Sequence, residues 1–156
     1  LISSDIIRKE LAGISPQEHR YEEYGAGIYT EDFSRRTYDA LLARAHELLS
    51  KGCSVIIDAS FRSAAERRRT LDLANSLGTT LWIVETVADE KLIRSRLIER
   101  QRRAGEVSDG RWETHLQQQA DFDPVTEVPD SQHIKIDTGE TLSRCLKKAA
   151  AQIWGE

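Results

Sequence analysis

Methionine is missing from all 156 residues, and cysteine, proline and long apolar runs are scarce. Each shortage excludes something. Cys53 and Cys145 stand singly and far apart, so the spacing supports neither a disulfide framework nor a zinc motif. His19, His46, His115 and His133 are equally dispersed, which argues against a metal site built from them. No apolar stretch approaches the ~20 residues of a membrane span, and the N-terminus lacks the basic-then-apolar layout of a signal peptide. A soluble, cytoplasmic protein without membrane partners is expected. A net charge of -4 argues against general nucleic-acid binding through bulk charge, although arginine is locally dense. The start at Leu1 and the lack of methionine lead to the expectation that the sequence is not a complete translated product.

What is there suits one domain spanning 1–156: 39% of the residues are hydrophobic and 31% charged, with no repeat, linker or low-complexity tract. "SSDIIRKELAG" reads as a short helix, with serines for caps, Ile6, Ile7 and Leu11 at helical spacing and Gly13 as a stop. Residues 14–29 read as a loop with an irregular turn. "TEDFSRRTYDALLARAHELLSKG" is the clearest helix, capped by Thr30, with a stripe through Phe33, Thr37, Leu41, Ala45 and Leu48. "CSVIID" reads as a central parallel strand, oily on both faces. Helix 63–78, strand 79–86, helix 88–105, helix 108–122, strand 133–137 and helix 138–154 follow. Strands alternating with helices predict an α/β fold, a parallel sheet with helices on both faces.

One detail of that order carries chemistry. The strand ending at Asp58 stops on a carboxylate, and in an open parallel sheet ligands gather at the carboxyl ends of the strands. A carboxylate leaving a dry sheet needs a counter-charge or several donors, and magnesium on a nucleotide phosphate supplies them. The bland alternative is an aspartate that caps the following helix, a task for which Ser60 and Ser63 also stand ready.

Asp5 and Arg8, three apart at a helix start, share a face with Cβ atoms about 5–6 Å apart. Such an aspartate accepts a proton from a substrate hydroxyl while the arginine binds an anionic group; the alternative is a surface ion pair. Arg94, Arg96, Arg100, Arg102, Arg103 and Arg111 crowd a third region, about 94–112. These are either a solvated face paired with Glu90, Glu99 and Glu106, or a lid that clamps a triphosphate. "RAGEVSDG" reads as a hinge for that lid.

"ISSDIIRKELAG", "GCSVIIDASFRSAAERRR", "RLIERQRRAGEVSD" and "IKIDTGET", in this order, resemble the small P-loop kinases, notably the group of gluconate kinase, polynucleotide kinase and the zeta toxins. The likeness runs over essentially the whole chain. It implies a nucleoside-kinase-like P-loop fold that uses ATP and Mg2+ to phosphorylate a hydroxyl of a small molecule or a nucleic-acid end. By it Asp5 is the base facing the acceptor and Arg8 its phosphate-orienting partner. Asp58 holds magnesium, Arg96 and Arg100 are lid arginines with Arg103 as alternate, and Thr138 lies near the adenine. Residues 14–29, with Arg20, Tyr21 and Tyr24, would line the acceptor side by their position. A fused upstream domain also fits the resemblance.

The departure is the missing G-x-x-x-x-G-K-[ST] loop, since none of the lysines follows the required glycines. The simplest expectation is that the central first strand, the loop and the first helix lie upstream of Leu1. A degenerate, non-catalytic nucleotide-binding or interaction module is the alternative.

Overall fold

The computed structural model describes residues 1–18, 22, 25–102 and 109–155; Arg20, Tyr21, Tyr24, Arg103 and the hinge residues 104–108 lie outside them. The chain opens with a strand that periodicity does not reveal, because β1 (Ile2–Ser3) is two residues long. It pairs in parallel with β2 (Ile57–Asp58), Ile2 opposite Ile57 and Ser3 opposite Asp58. The chain then turns directly into α1 (Ser4–Leu11). Ser3 holds the cap position without a side-chain cap bond, and Gly13 beyond the end has φ 69°, a conformation that costs glycine least.

The core of this half is built on α2 (Glu31–Ser50), capped by the Thr30 hydroxyl, which accepts from the Phe33 amide at 3.3 Å. Its stripe behaves as the spacing predicts: Thr37, Leu41 and Ala45 are buried, and Leu41 and Ala45 cluster with Ile2 and Ile7. Thr37 tolerates burial because its hydroxyl donates back to the Phe33 carbonyl at 2.8 Å. Half-buried Val55, Ile57 and Leu73 close the cluster, the last from α3 (Ala64–Ser76).

The other half holds β3 (Ile83–Val87) and β4 (His133–Asp137), paired in parallel from Ile83 opposite His133 to Val87 opposite Asp137. Between them run α4 (Glu90–Gln101), capped by Asp89, and α5 (Trp112–Ala120); α6 (Leu142–Trp154), capped by Thr141, packs on β4. The last helix starts later than expected because Asp137 accepts from the Gly139 amide at 2.8 Å, making residues 137–140 a turn.

Two expectations need correction. The described residues form two separate two-stranded parallel sheets, β1 with β2 and β3 with β4, rather than one continuous sheet. "CSVIID" is not a buried central strand: only Ile57 and Asp58 join a ladder, and Ile56 is 70% exposed. The physical reason is that β2 has a partner on one side alone, so its other edge and the apolar side chains beside it stay open. α6 shows the same incompleteness. It has no buried residue, and Leu142, Leu146 and Trp154 are exposed. None of the described helices is long and apolar enough to cross a membrane.

Candidate functional site

Parallel pairing of β1 with β2 brings both carboxyl ends to the same edge. Ser3 lies opposite Asp58, so the first turn of α1, with Asp5, opens beside that carboxylate. A cleft of about 940 Å3 lies there, lined by Asp5, Arg8, Tyr29, Asp58, Arg62 and Arg111 among others. Three residues singled out from the sequence, Asp5, Arg8 and Asp58, are thus brought together.

Asp58 is exposed, and among the described residues no hydrogen bond or ion pair engages its carboxylate. Capping is done by others: the Ala65 amide donates to the Ser63 hydroxyl at 3.2 Å and the Ala64 amide to the Asp123 carboxylate at 2.8 Å. The turn after Asp58 is held without it as well. Phe61 sits at φ 41°, a strained conformation for a bulky residue that costs on the order of 1–3 kcal/mol. Its amide donates to the Tyr38 hydroxyl at 3.1 Å. Arg67 adds a buried clamp: it forks onto Glu127 through two 3.0 Å bonds and donates to the carbonyls of Phe61, Arg62, Asp123 and Pro124. So many charge-assisted bonds offset the desolvation of this pair, whose side chains are 2% exposed. Burial alone would raise the Glu127 carboxyl, but the bonds from Arg67 and from backbone amides hold it below its ordinary range.

A strand-end carboxylate with no structural task fits the way magnesium is held, by one or two carboxylates together with substrate phosphates. Among the described residues there is no group of three or more His, Cys, Asp or Glu that could hold a metal ion. The glycine-lysine cradle for the phosphates is not among the 156 residues.

Arg8 is buried to 8% exposure in the cleft wall. Its guanidinium donates to the Ile28 carbonyl at 2.6 Å and the Ser34 hydroxyl at 3.2 Å, and it lies over the Tyr29 ring, 5.0 Å from the centroid. Nε has no hydrogen-bond partner among the described residues. Burial lowers the Arg8 pKa, opposed by Tyr29 and Asp5, and an arginine keeps its charge through such a shift. Tyr29, on the 3₁₀ turn Gly27–Tyr29, donates its hydroxyl to Asp109 at 2.7 Å; burial first, and this bond second, push the phenol far up. Asp109 in turn faces Lys9 at 3.6 Å, both side chains almost wholly buried, and Lys9 donates to the Pro16 carbonyl at 3.1 Å.

The lid candidates sit elsewhere. Arg96, exposed on α4, donates to the Thr138 hydroxyl at 3.0 Å and its carbonyl at 2.7 Å, while that hydroxyl donates to the Val87 carbonyl at 3.1 Å. Arg96 and Thr138 therefore meet each other beyond the ends of β3 and β4. Neither they nor the half-buried Arg100 line the Asp5–Asp58 cleft, and Arg103 lies outside the described residues. Arg94 stacks over Trp112 at 5.7 Å, joining α4 to α5. Of the arginine-rich region, Arg111 reaches the cleft, where it donates to the Glu22 carbonyl. Sequence reasoning missed Arg62 as a cleft residue and did not single out Tyr29 or Asp109 within the acceptor-side segment 14–29 and the lid region. The Tyr29–Asp109 bond spans 80 residues, and no local spacing could signal it.

No curated protein and no solved structure matches the chain. A family model described as an AAA domain matches residues 1–125, which include β1, α1, β2 and the cleft. On that match the chain belongs to the AAA domain family, a P-loop NTPase-like family with kinase-like members and nucleotide binding as its general activity.

Proposed function

We propose that the intact protein is an ATP-dependent, magnesium-requiring phosphotransferase of the cytoplasm that acts on a hydroxyl of a small molecule or a nucleic-acid end. One observation carries this reading: Asp5, Arg8 and Asp58 line a single cleft at the carboxyl ends of two parallel strands, and Asp58 serves no capping or pairing role there. Asp5 orients the acceptor hydroxyl and takes its proton, within reach of the Arg8 charge. Arg8 holds the anionic group beside it, with Arg62 and Arg111 adding positive charge to the same wall. Asp58 would hold Mg2+, which when bound with ATP neutralises charge on the transferring phosphoryl group. Under this reading Arg96 and Arg100, with Arg103 as alternate, are lid arginines and Thr138 an adenine neighbour, although Arg96, Arg100 and Thr138 lie outside the cleft lining. The 940 Å3 of the cleft accommodates a ligand of nucleotide or sugar size.

The phosphate cradle belongs, in this proposal, to a strand, loop and helix that precede Leu1. The open edge of β2 and the exposed apolar face of α6 support such a segment, because a parallel strand and its helix would cover both. A further domain ahead of it is part of the same proposal.

The test is a screen of phosphate acceptors with the full-length protein and labelled ATP, followed by Asp5→Asn. Turnover should fall roughly 10²–10⁴-fold while ATP affinity holds; unchanged turnover removes Asp5 from the role. A second reading, a non-catalytic nucleotide-binding or interaction module, is favoured by the lack of G-x-x-x-x-G-K-[ST] in these residues. The codons immediately upstream of Leu1 separate the two.

A further inference from the structure

The chemistry proposed for the cleft needs a guanidinium in a defined place, yet little of the Arg8 side chain is fixed by its own helix. Two of its contacts come from the 3₁₀ turn: the Ile28 carbonyl accepts from Nη1, and the Tyr29 ring lies beneath the guanidinium. The turn is anchored in its own right. The Ile28 amide donates to the Glu22 carboxylate at 2.7 Å, and the Tyr29 hydroxyl donates to Asp109 at 2.7 Å. Asp109 precedes Gly110 and Arg111, all three in the cleft wall, and follows the arginine-rich helix in sequence. It also meets Lys9, the residue next to Arg8 on α1. The carboxylate therefore lies between the phenol and the ammonium, in a place where leaving either polar group unmatched is costly.

We propose that Tyr29 and Asp109 are positioning residues that fix the Arg8 guanidinium in the cleft and tie residues 109–111 to the wall formed by α1 and the 3₁₀ turn. A tyrosine suits the task for two reasons. Its ring face attracts the guanidinium, and its hydroxyl reaches the carboxylate that sets the ring's place. Phenylalanine at this position keeps an aromatic ring but loses the bond that holds that ring under the guanidinium, which separates the hydroxyl's part from the bulk of the side chain. Asp109 acts on Arg8 through the ring, so the two substitutions break one chain of contacts rather than two.

The use of Arg8 in catalysis rests on the phosphotransferase reading; its positioning does not, and the experiment keeps them apart. In the full-length protein, the Arg8 side-chain Nε–H resonance, assigned by its loss in Arg8→Lys, should be shifted by the Tyr29 ring current and protected from solvent exchange. Tyr29→Phe and Asp109→Asn should each move it toward the position of an exposed arginine and remove its protection, and the double variant should go no further than either single one. Retention of the wild-type shift and protection in Tyr29→Phe overturns the proposal, and so do additive effects of the two changes. With an acceptor that turns over, each variant should lower kcat or raise the acceptor KM roughly ten- to a hundredfold, with the KM for ATP within about twofold. An equal change in both KM values, or no change in kcat and in the acceptor KM, contradicts the assignment. A protein that phosphorylates no acceptor would remove the phosphotransferase reading, and the resonance would still decide on the positioning. Tyr29→Phe is the variant that guards against misfolding, because it deletes a single hydroxyl.

Discussion

The two halves of the molecule finish their cores differently. Around α1, α2 and β1, Leu41 and Ala45 are fully buried, Ile2 and Ile7 pack on them, and Thr37 satisfies its hydroxyl within its own helix. Around β3, β4 and α6, Ile134 and Ile136 are buried, but α6 leaves Leu142 74%, Leu146 60% and Trp154 70% exposed. An amphipathic helix that buries no residue has its sequence written for a neighbour. The first half buries its helical core and carries the cleft, leaving only the outer edge of β2 beside Ile56 open. The second half lacks a cover, which we assign to the proposed preceding strand and helix.

The contrast is broken most strongly at the clamp of the first half. Arg67→Met leaves Glu127 buried without its counter-charge and should cost about 3–5 kcal/mol in denaturant unfolding, whereas Arg67→Met with Glu127→Leu should recover most of the loss. Slightly less is expected from Leu41→Ala, about 2–5 kcal/mol, because a fully buried side chain leaves a cavity. A pH ramp probes the clamp more gently. The folded Glu127 carboxyl lies below its ordinary value of 4.5, so its contribution is present above pH 4.5 and is lost as the pH falls through and below that value. Unfolding curves with Glu127→Gln should lose that part of the acid dependence. The smallest effect belongs to the open half: Leu146→Ala should change the stability of residues 1–156 by less than about 0.5 kcal/mol. In the full-length protein the same change should cost several times more, and an equal, small cost in both would mean that nothing covers α6.

What the sequence made legible was local. The stripe of α2, its Thr30 cap and the Ser63 cap of α3 depend on neighbours within one or two turns, and each stands as the spacing implied. Asp5 with Arg8 and the acid closing an oily run are local signals too, and those three side chains share the cleft. The two-residue β1 was illegible because two residues have no period. The burial of "CSVIID" was misread since it has the composition of a strand covered on both sides, and among the described residues β2 pairs with β1 alone. Arginine density located an arm on α4 but not its contacts. Arg96 was singled out for phosphate and Thr138 for adenine, and in the structure they are hydrogen-bonded to each other. Buried polar chains such as Lys9–Asp109–Tyr29–Arg8 join residues from three segments of the sequence, and only tertiary packing aligns them.

The central claim is that Asp58 faces a divalent cation carried by a nucleotide. Calorimetry of ATP binding to the full-length protein, with magnesium and with the metal chelated, for wild type and Asp58→Asn, tests it most directly. We expect magnesium to strengthen nucleotide binding to the wild type and to lose most of that effect in the variant, with metal-free affinity little changed. An identical magnesium dependence in both proteins would contradict the account.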